Sequence, residues 1–91
     1  MAKLPLGKIK EGVRLRVRCH IDSGFVRFAL GDERLNLTDY VEKWPSGSTQ
    51  EIVLNAPKNL DHPYLSLRSM YPDHSTSVVI LEKVEIEKLK P

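Results

Sequence analysis

One stretch of the sequence combines aromatic rings with hydrogen-bonding groups at spacings that suit a polar ligand. Tyr64 and Arg68 are four residues apart, so on a β-strand both side chains point to the same face. Tyr71, Asp73 and His74 continue from this segment into the next loop. Flat aromatic rings stack on the apolar faces of sugar rings, while guanidinium, carboxylate and imidazole groups bind hydroxyls. These five residues are the candidate ligand-binding site, and the expected ligand is a glycan.

A second cluster of residues that could bind a ligand is basic. Arg14, Arg16 and Arg18 alternate with apolar residues, and Arg27 follows in the next predicted strand. Guanidinium groups bind phosphates and carboxylates through paired hydrogen bonds, so these arginines are an alternative anion-binding site. Nucleic acid is not the expected partner, because sheets that bind it place exposed aromatics between the basic residues. The arginine strand has no aromatics, and the net charge of the chain is only +2.

Metal binding is not expected from the histidines. Asp61-His62 and Asp73-His74 are suitable ligand pairs, but they flank a predicted strand at 64–70. Seven residues of strand at about 3.3 Å each separate the pairs by roughly 20 Å, which is too far for one ion. His20 lies on a third element. We therefore predict no metal and no other cofactor.

An enzymatic function is not expected either. The sequence contains no Ser-His-Asp arrangement and no glycine-rich phosphate loop. The single cysteine, Cys19, is a core residue by its position on an apolar strand face. His20 is adjacent in sequence but points to the opposite face, so it cannot activate the thiol.

Length and composition predict one small globular domain spanning residues 1–91. A chain of 91 residues that is 41% hydrophobic and 29% charged can bury one modest core. The longest apolar run, 78–81, is far too short to span a membrane, and no long apolar segment follows Met1. The sequence does not fix the compartment. A glycan-binding module would work outside the cell or at its surface.

The elements that must position these residues are strands. Residues 13–21 alternate strictly, with apolar side chains on one face and three arginines and His20 on the other. Asp22, Ser23 and Gly24 predict a tight turn and a hairpin with the next strand. Further strands are predicted at 4–10 (a weak edge element limited by Pro5), 25–30, 34–38, 50–55, 64–70 and 77–89.

The predicted fold is an all-β antiparallel sandwich with about six strands and almost no helix. The exception is a single helical turn at 38–43, with Thr38 or Asp39 as its N-cap. Leu35 and Leu37 are predicted to point inward, and Trp44 is predicted to cap the core.

Glu82 interrupts the apolar pattern of the last predicted strand. It shares parity with Val78, Ile80, Val84 and Ile86, so a regular strand would place it among apolar residues. Either a β-bulge at Glu82-Lys83 turns it outward, or it is buried and paired with a cation or with hydrogen-bond donors.

The order of these elements resembles that of carbohydrate-binding modules and related galactose-binding-like domains, which are jelly-roll β-sandwiches. In that family a strand of alternating basic and apolar residues turns through a glycine into a second such strand. A tryptophan, two further strands and a long closing strand follow. The matching segments here are 13–18, 23–28, Trp44 before 51–54, 64–67 and 79–86.

The resemblance covers roughly residues 8–88 and implies a noncatalytic, glycan-binding accessory domain. Two departures limit it. Only about ten residues precede the first strong strand, so the chain would be a minimal or truncated module of a larger protein, such as a glycan-handling enzyme. The family's calcium-binding aspartate is replaced by Glu82, and the N-terminal oxygen ligands are missing, so calcium is not expected.

The resemblance also offers a structural reading of the arginines. In the resembling fold the last strand lies beside strand 13–21, which would place Glu85 and Glu87 near the arginines as a cross-strand ladder of opposite charges. A third reading assigns the domain a structural or protein-interaction role, in which the first or last strand forms an exposed edge that pairs with a partner or with itself.

Overall fold

The computed structural model describes residues 2–7, 12–31, 37–56, 63–70 and 77–88. Within these ranges the chain forms seven strands and no helix. The strands are β1 (Ala2–Pro5), β2 (Val13–Ser23), β3 (Val26–Gly31), β4 (Leu37–Lys43), β5 (Gln50–Ala56), β6 (Tyr64–Ser69) and β7 (Val78–Lys88).

The strands form two antiparallel sheets. One has four strands in the order β1-β6-β3-β4, and the other has three in the order β5-β2-β7. The predicted all-β sandwich is therefore confirmed. The weak first element is also found at an edge, where β1 ends at Pro5. In the described part of the chain, no helix has the length and apolar character needed to cross a membrane.

The core lies between the sheets and follows the alternation in the sequence. In β2 the side chains of Val13, Leu15, Val17, Cys19 and Ile21 are all buried. They pack with the inward residues of the neighbouring strands, among them Val26, Phe28, Leu30, Ile52, Leu54 and Leu65. Phe28 is fully buried and is the largest of these side chains. β2 and β5 bury every second residue, so the other half of their side chains lies on the outer face of the three-stranded sheet.

The predicted hairpin between the first two strong strands is wrong. β2 pairs with β5 and β7, whereas β3 pairs with β4 and β6, so the chain passes from one sheet to the other at Gly24. Gly24 has a φ of +89°, a left-handed conformation that is typical of a turn. The turn signal was correct, but a turn does not determine whether the next strand returns to the same sheet.

The predicted helical turn at 38–43 is also wrong, because these residues form β4. Val41 pairs with Phe28 and packs on the core, as a strand requires. Asp39 does not cap a helix: its Oδ2 accepts a hydrogen bond from the backbone N–H of Asn55 at 2.9 Å. Leu37, predicted to point inward, is 43% exposed. Leu35 lies outside the described residues.

Of the two alternatives predicted for Glu82, the structure has the β-bulge. Arg18 pairs with Lys83 and Cys19 pairs with Leu81, so Glu82 is the extra residue in the ladder. Its side chain is exposed and accepts a hydrogen bond from Thr49 Oγ1 at 3.0 Å. The bulge also changes the parity of β7, which turns Val79 inward against the core together with Val84.

Candidate functional site

The outer side of the four-stranded sheet carries a group of aromatic and basic side chains, which we call the tyrosine face. The register places Tyr64 beside Gly31, Ser66 beside Ala29 and Arg68 beside Arg27. Across β3, the same three positions are flanked on β4 by Leu37, Tyr40 and Glu42. Alternation gives eight of these residues the same outward parity, and a register shift between Leu30 and Gly31 in the pairing with β4 brings Leu37 to the same side.

Two tyrosines lie on either side of the centre of the tyrosine face. Ala29 and Gly31 at this centre lack large side chains, and both are buried, so neighbouring groups cover them. Strand spacing and rise place the Cα atoms of Tyr40 and Tyr64 about 12 Å apart. Tyr40 is 51% exposed, and Tyr64 is half-buried. The accessible aromatic surface of this face therefore belongs to the tyrosine rings and not to the centre.

Arg27 contacts Tyr40 on one side of the tyrosine face. Its guanidinium lies 4.8 Å from the ring centroid of Tyr40. It also donates two hydrogen bonds to Glu42 Oε2, at 3.0 and 3.2 Å. The cation therefore fixes the orientation of the tyrosine ring from one side, while the carboxylate fixes the cation.

Further cations lie on the other side of the tyrosine face. Lys3 Nζ is 5.6 Å from the ring centroid of Tyr64, and Arg68 is exposed beside Arg27. Against these three cations, Glu42 is the one carboxylate that the described strands place on this face. An anionic group would therefore be favoured here.

The tyrosine face ends in a second aromatic pair. Trp44 follows Glu42 at the same parity and stacks on Phe25, with ring centroids 4.4 Å apart and an interplanar angle of 29°. The prediction that Trp44 caps the core is wrong, because its side chain is 54% exposed. Its carbonyl accepts a hydrogen bond from the side-chain amide of Gln50 at 2.8 Å, which holds the loop against β5.

The structure brings together only part of the predicted ligand site. Tyr64 and Arg68 do share a face, as their spacing predicted. Tyr71, Asp73 and His74 lie outside the described residues. Tyr40 and Arg27 join Tyr64 and Arg68. Tyr40 was missed because residues 38–43 were assigned to a helical turn, and Arg27 because β3 was paired with β2 instead of β6. The alternation of Tyr40 and Glu42 around the partly buried Val41 is the signal that could have revealed β4.

The predicted basic face divides between the two sheets. Arg14, Arg16 and Arg18 lie on the outer side of β2, while Arg27 belongs to the other sheet. On β2 the cross-strand ladder is present: Arg16 binds Glu51 at 2.6 Å and also binds Glu87. These two carboxylates, Glu51 first, raise the pKa of Arg16 above its ordinary value.

Arg14 and Lys83 on this sheet also have polar partners. Arg14 Nε donates to Asn55 Oδ1 at 3.4 Å, and Lys83 binds Glu85 at 2.8 Å. The hydrogen bond and charge of Lys83 lower the pKa of the Glu85 carboxyl. A shallow depression of about 90 Å³ is lined by Arg16, Arg18, Glu51, Lys83 and Glu85. Its cations face carboxylates of the same sheet, so they are already partly neutralised.

Groups suited to metal binding or nucleophilic catalysis do not converge in the described part of the chain. No cluster of three or more His, Cys, Asp or Glu side chains occurs there. His20 Nε2 lies 3.6 Å from the exposed carboxylate of Asp22. Cys19 is completely buried, and that burial, followed by the charge of Glu82, raises the pKa of its thiol. His62 and Asp61 lie outside the described residues.

The fold defines the class of the protein, an all-β sandwich of two antiparallel sheets. Comparison with family models, curated proteins and solved structures finds no match to this chain. The resemblance to carbohydrate-binding modules therefore has support at the level of the sandwich alone.

Proposed function

We propose that this protein is a noncatalytic glycan-binding module and that the tyrosine face is its binding surface. The observation that carries the proposal is the exposed ring of Tyr40 and the half-buried ring of Tyr64, which share one outer face of the four-stranded sheet. Aromatic rings on the surface of a sheet suit the flat apolar faces of sugar rings. Because their Cα atoms are about 12 Å apart by strand geometry, the two tyrosines would engage an oligosaccharide rather than a single sugar.

The charge of the face favours glycans that carry carboxylate or sulfate groups. Arg68 is exposed, and Lys3 lies beside Tyr64, so both can reach a bound chain. Arg27 already shares its guanidinium with Glu42, and its role would be to hold Tyr40 in place. Bidentate hydrogen bonds from a guanidinium suit a planar carboxylate, which gives Arg68 the role of anion recognition.

Anion binding through the arginines of β2 is less well supported. Arg16 is bound by two carboxylates, and an incoming anion would have to displace them. Exposed aromatic rings are also missing from the described neighbours of β2 on that face.

The test is an NMR titration of isotope-labelled protein with matched neutral and acidic oligosaccharides. The proposal expects amide shifts in β3, β4 and β6, larger with the acidic sugars and reduced by salt. Trp44 is the single tryptophan and adjoins the face, so its fluorescence provides a second readout. Shifts confined to β2 and β7, or no shifts with any sugar, would contradict the proposal.

Paired variants separate the roles of the residues. Tyr40→Ala should weaken binding at least about fivefold, since loss of a stacking ring costs on the order of 1–3 kcal/mol. Ile80→Ala is the matched control, because Ile80 is 54% exposed but lies on β7 in the other sheet. Arg68→Gln should remove the preference for acidic sugars. Arg18→Gln, an exposed arginine of β2, should leave that preference intact.

A further inference from the structure

The outermost strands of the sandwich are not equally open. β1 has four residues and ends at Pro5, which cannot donate a backbone hydrogen bond. β4 and β5 are joined through Asp39, which accepts the N–H of Asn55. β7, by contrast, has eleven residues without proline or glycine, and β2 is its sole partner among the described strands. An edge strand of this kind presents unpaired backbone N–H and C=O groups.

β7 is also apolar beyond what its own sheet covers. Leu81 is 40% exposed and Ile86 is 49% exposed, although both belong to the inward-facing parity of the strand. On its other side Val78 and Ile80 are exposed as well. Natural edge strands usually carry features that prevent pairing, and β7 has two of them, the bulge at Glu82 and the charge of Lys83. Its aliphatic side chains on both sides are nevertheless suited to contact another strand.

The charge pattern of β7 identifies the strand that fits. Lys83 and Glu85 flank Val84 symmetrically. If a second copy of β7 runs antiparallel with Val84 opposite Val84, each Lys83 lies directly across from a Glu85 of the other copy. Opposite charges at directly opposed positions stabilise an antiparallel pair, and like charges destabilise it.

The bulge brings the apolar residues into the same register. Glu82 is skipped in the pairing of β7 with β2, so Leu81 follows Lys83 along the ladder. With the same skip on the free edge, Ile86 of one copy meets Leu81 of the other. The pairing would cover the two inward side chains that the sandwich leaves half-exposed.

We propose that two copies of this chain associate through β7, antiparallel and centred on Val84, to form one continuous six-stranded sheet with three strands from each copy. The contact is isologous, with the same residues on both sides of a two-fold axis. One pair of strands buries less than a standard interface, so the dissociation constant is expected to be on the order of micromolar. The tyrosine face lies on the other sheet, so glycan binding and dimerisation can fail independently.

A charge-exchange cycle tests the register. Sedimentation velocity is measured from about 1 µM to about 1 mM protein, a range that brackets a weak complex. Lys83→Glu places like charges opposite each other at two symmetric positions and should raise the dissociation constant at least about tenfold. The double variant Lys83→Glu/Glu85→Lys restores opposite charges and should return it to within about threefold of the original.

The matched control is Lys43→Glu, the same charge change at the end of β4, which should leave the dissociation constant unchanged. A chain that stays monomeric throughout the range overturns the proposal. So does a dimer that tolerates Lys83→Glu or is not restored by the double variant. The double variant could fail to fold, because Glu85→Lys adds a positive charge near Arg16 and Arg18. In that case the comparison of Lys83→Glu with Lys43→Glu tests the proposal.

Discussion

The crossing between the two sheets gives the sharpest test of the packing. Gly24 has a φ of +89°, and a Cβ added to it would lie 2.1 Å from Ser77 Oγ, 2.8 Å from Ser77 Cβ and 3.0 Å from Ser77 Cα. Ser77 directly precedes β7, and its hydroxyl donates to Ser69 Oγ at 2.9 Å. Gly24→Ala should therefore disturb the point where β2, β6 and β7 meet.

The expected magnitude has two parts that a second glycine separates. Gly47 has a φ of +77° and open space around its Cα, so Gly47→Ala carries the backbone penalty alone. That penalty is about 1 kcal/mol after the lower entropy of the unfolded chain is taken into account. Gly24→Ala adds the steric conflict with Ser77, which brings its expected loss in the free energy of unfolding to about 2–4 kcal/mol.

Urea denaturation followed by the fluorescence of Trp44 measures both variants. The double variant Gly24→Ala/Ser77→Gly removes the conflicting Oγ and Cβ atoms and should recover about 1 kcal/mol or more of that loss. Equal losses for Gly24→Ala and Gly47→Ala would refute the proposed contact with Ser77. A double variant without recovery would refute it as well.

Three further predictions concern the core and the charged sheet. Phe28→Ala, which empties the largest fully buried position, should cost about 3–5 kcal/mol in a urea titration; a loss below about 1 kcal/mol would contradict the core assignment. Cys19 should react with a thiol reagent only as fast as the protein unfolds, because its thiol is buried and its pKa is raised; rapid labelling of native protein would contradict this. Lys83 lowers the pKa of Glu85 in the folded state, so this carboxylate stabilises the protein above its ordinary pKa and loses that effect as the pH falls through the lowered value. Glu85→Gln should accordingly flatten the acid limb of a thermal-stability profile, and an unchanged limb would contradict the assignment.

Much of the local structure was predictable because strand periodicity is a local property. The alternation of residues 13–21 fixes which side chains share a face, so Leu15 is buried and Arg16 exposed whichever strand lies beside them. For Glu82 the same parity argument left two alternatives, a bulge or a buried and paired carboxylate, and the register of β7 with β2 shows the bulge. The candidate site was only half predictable: the spacing of Tyr64 and Arg68 placed them together on one face.

The tertiary structure decided which strands are neighbours, and with them the rest of the site. A turn at Gly24 is compatible both with a hairpin and with a crossing to the other sheet, and the choice depends on contacts that are distant in sequence. Tyr40 joins Tyr64 only because β4 and β6 both pair with β3. Whether β7 is covered or open is likewise set by the order of strands in its sheet. The sequence by itself determined the period and the buried face of β2, β3, β5 and β6, since these depend on neighbouring residues. The order of the strands, which creates the tyrosine face and the open edge, depends on non-local packing that no short pattern encodes.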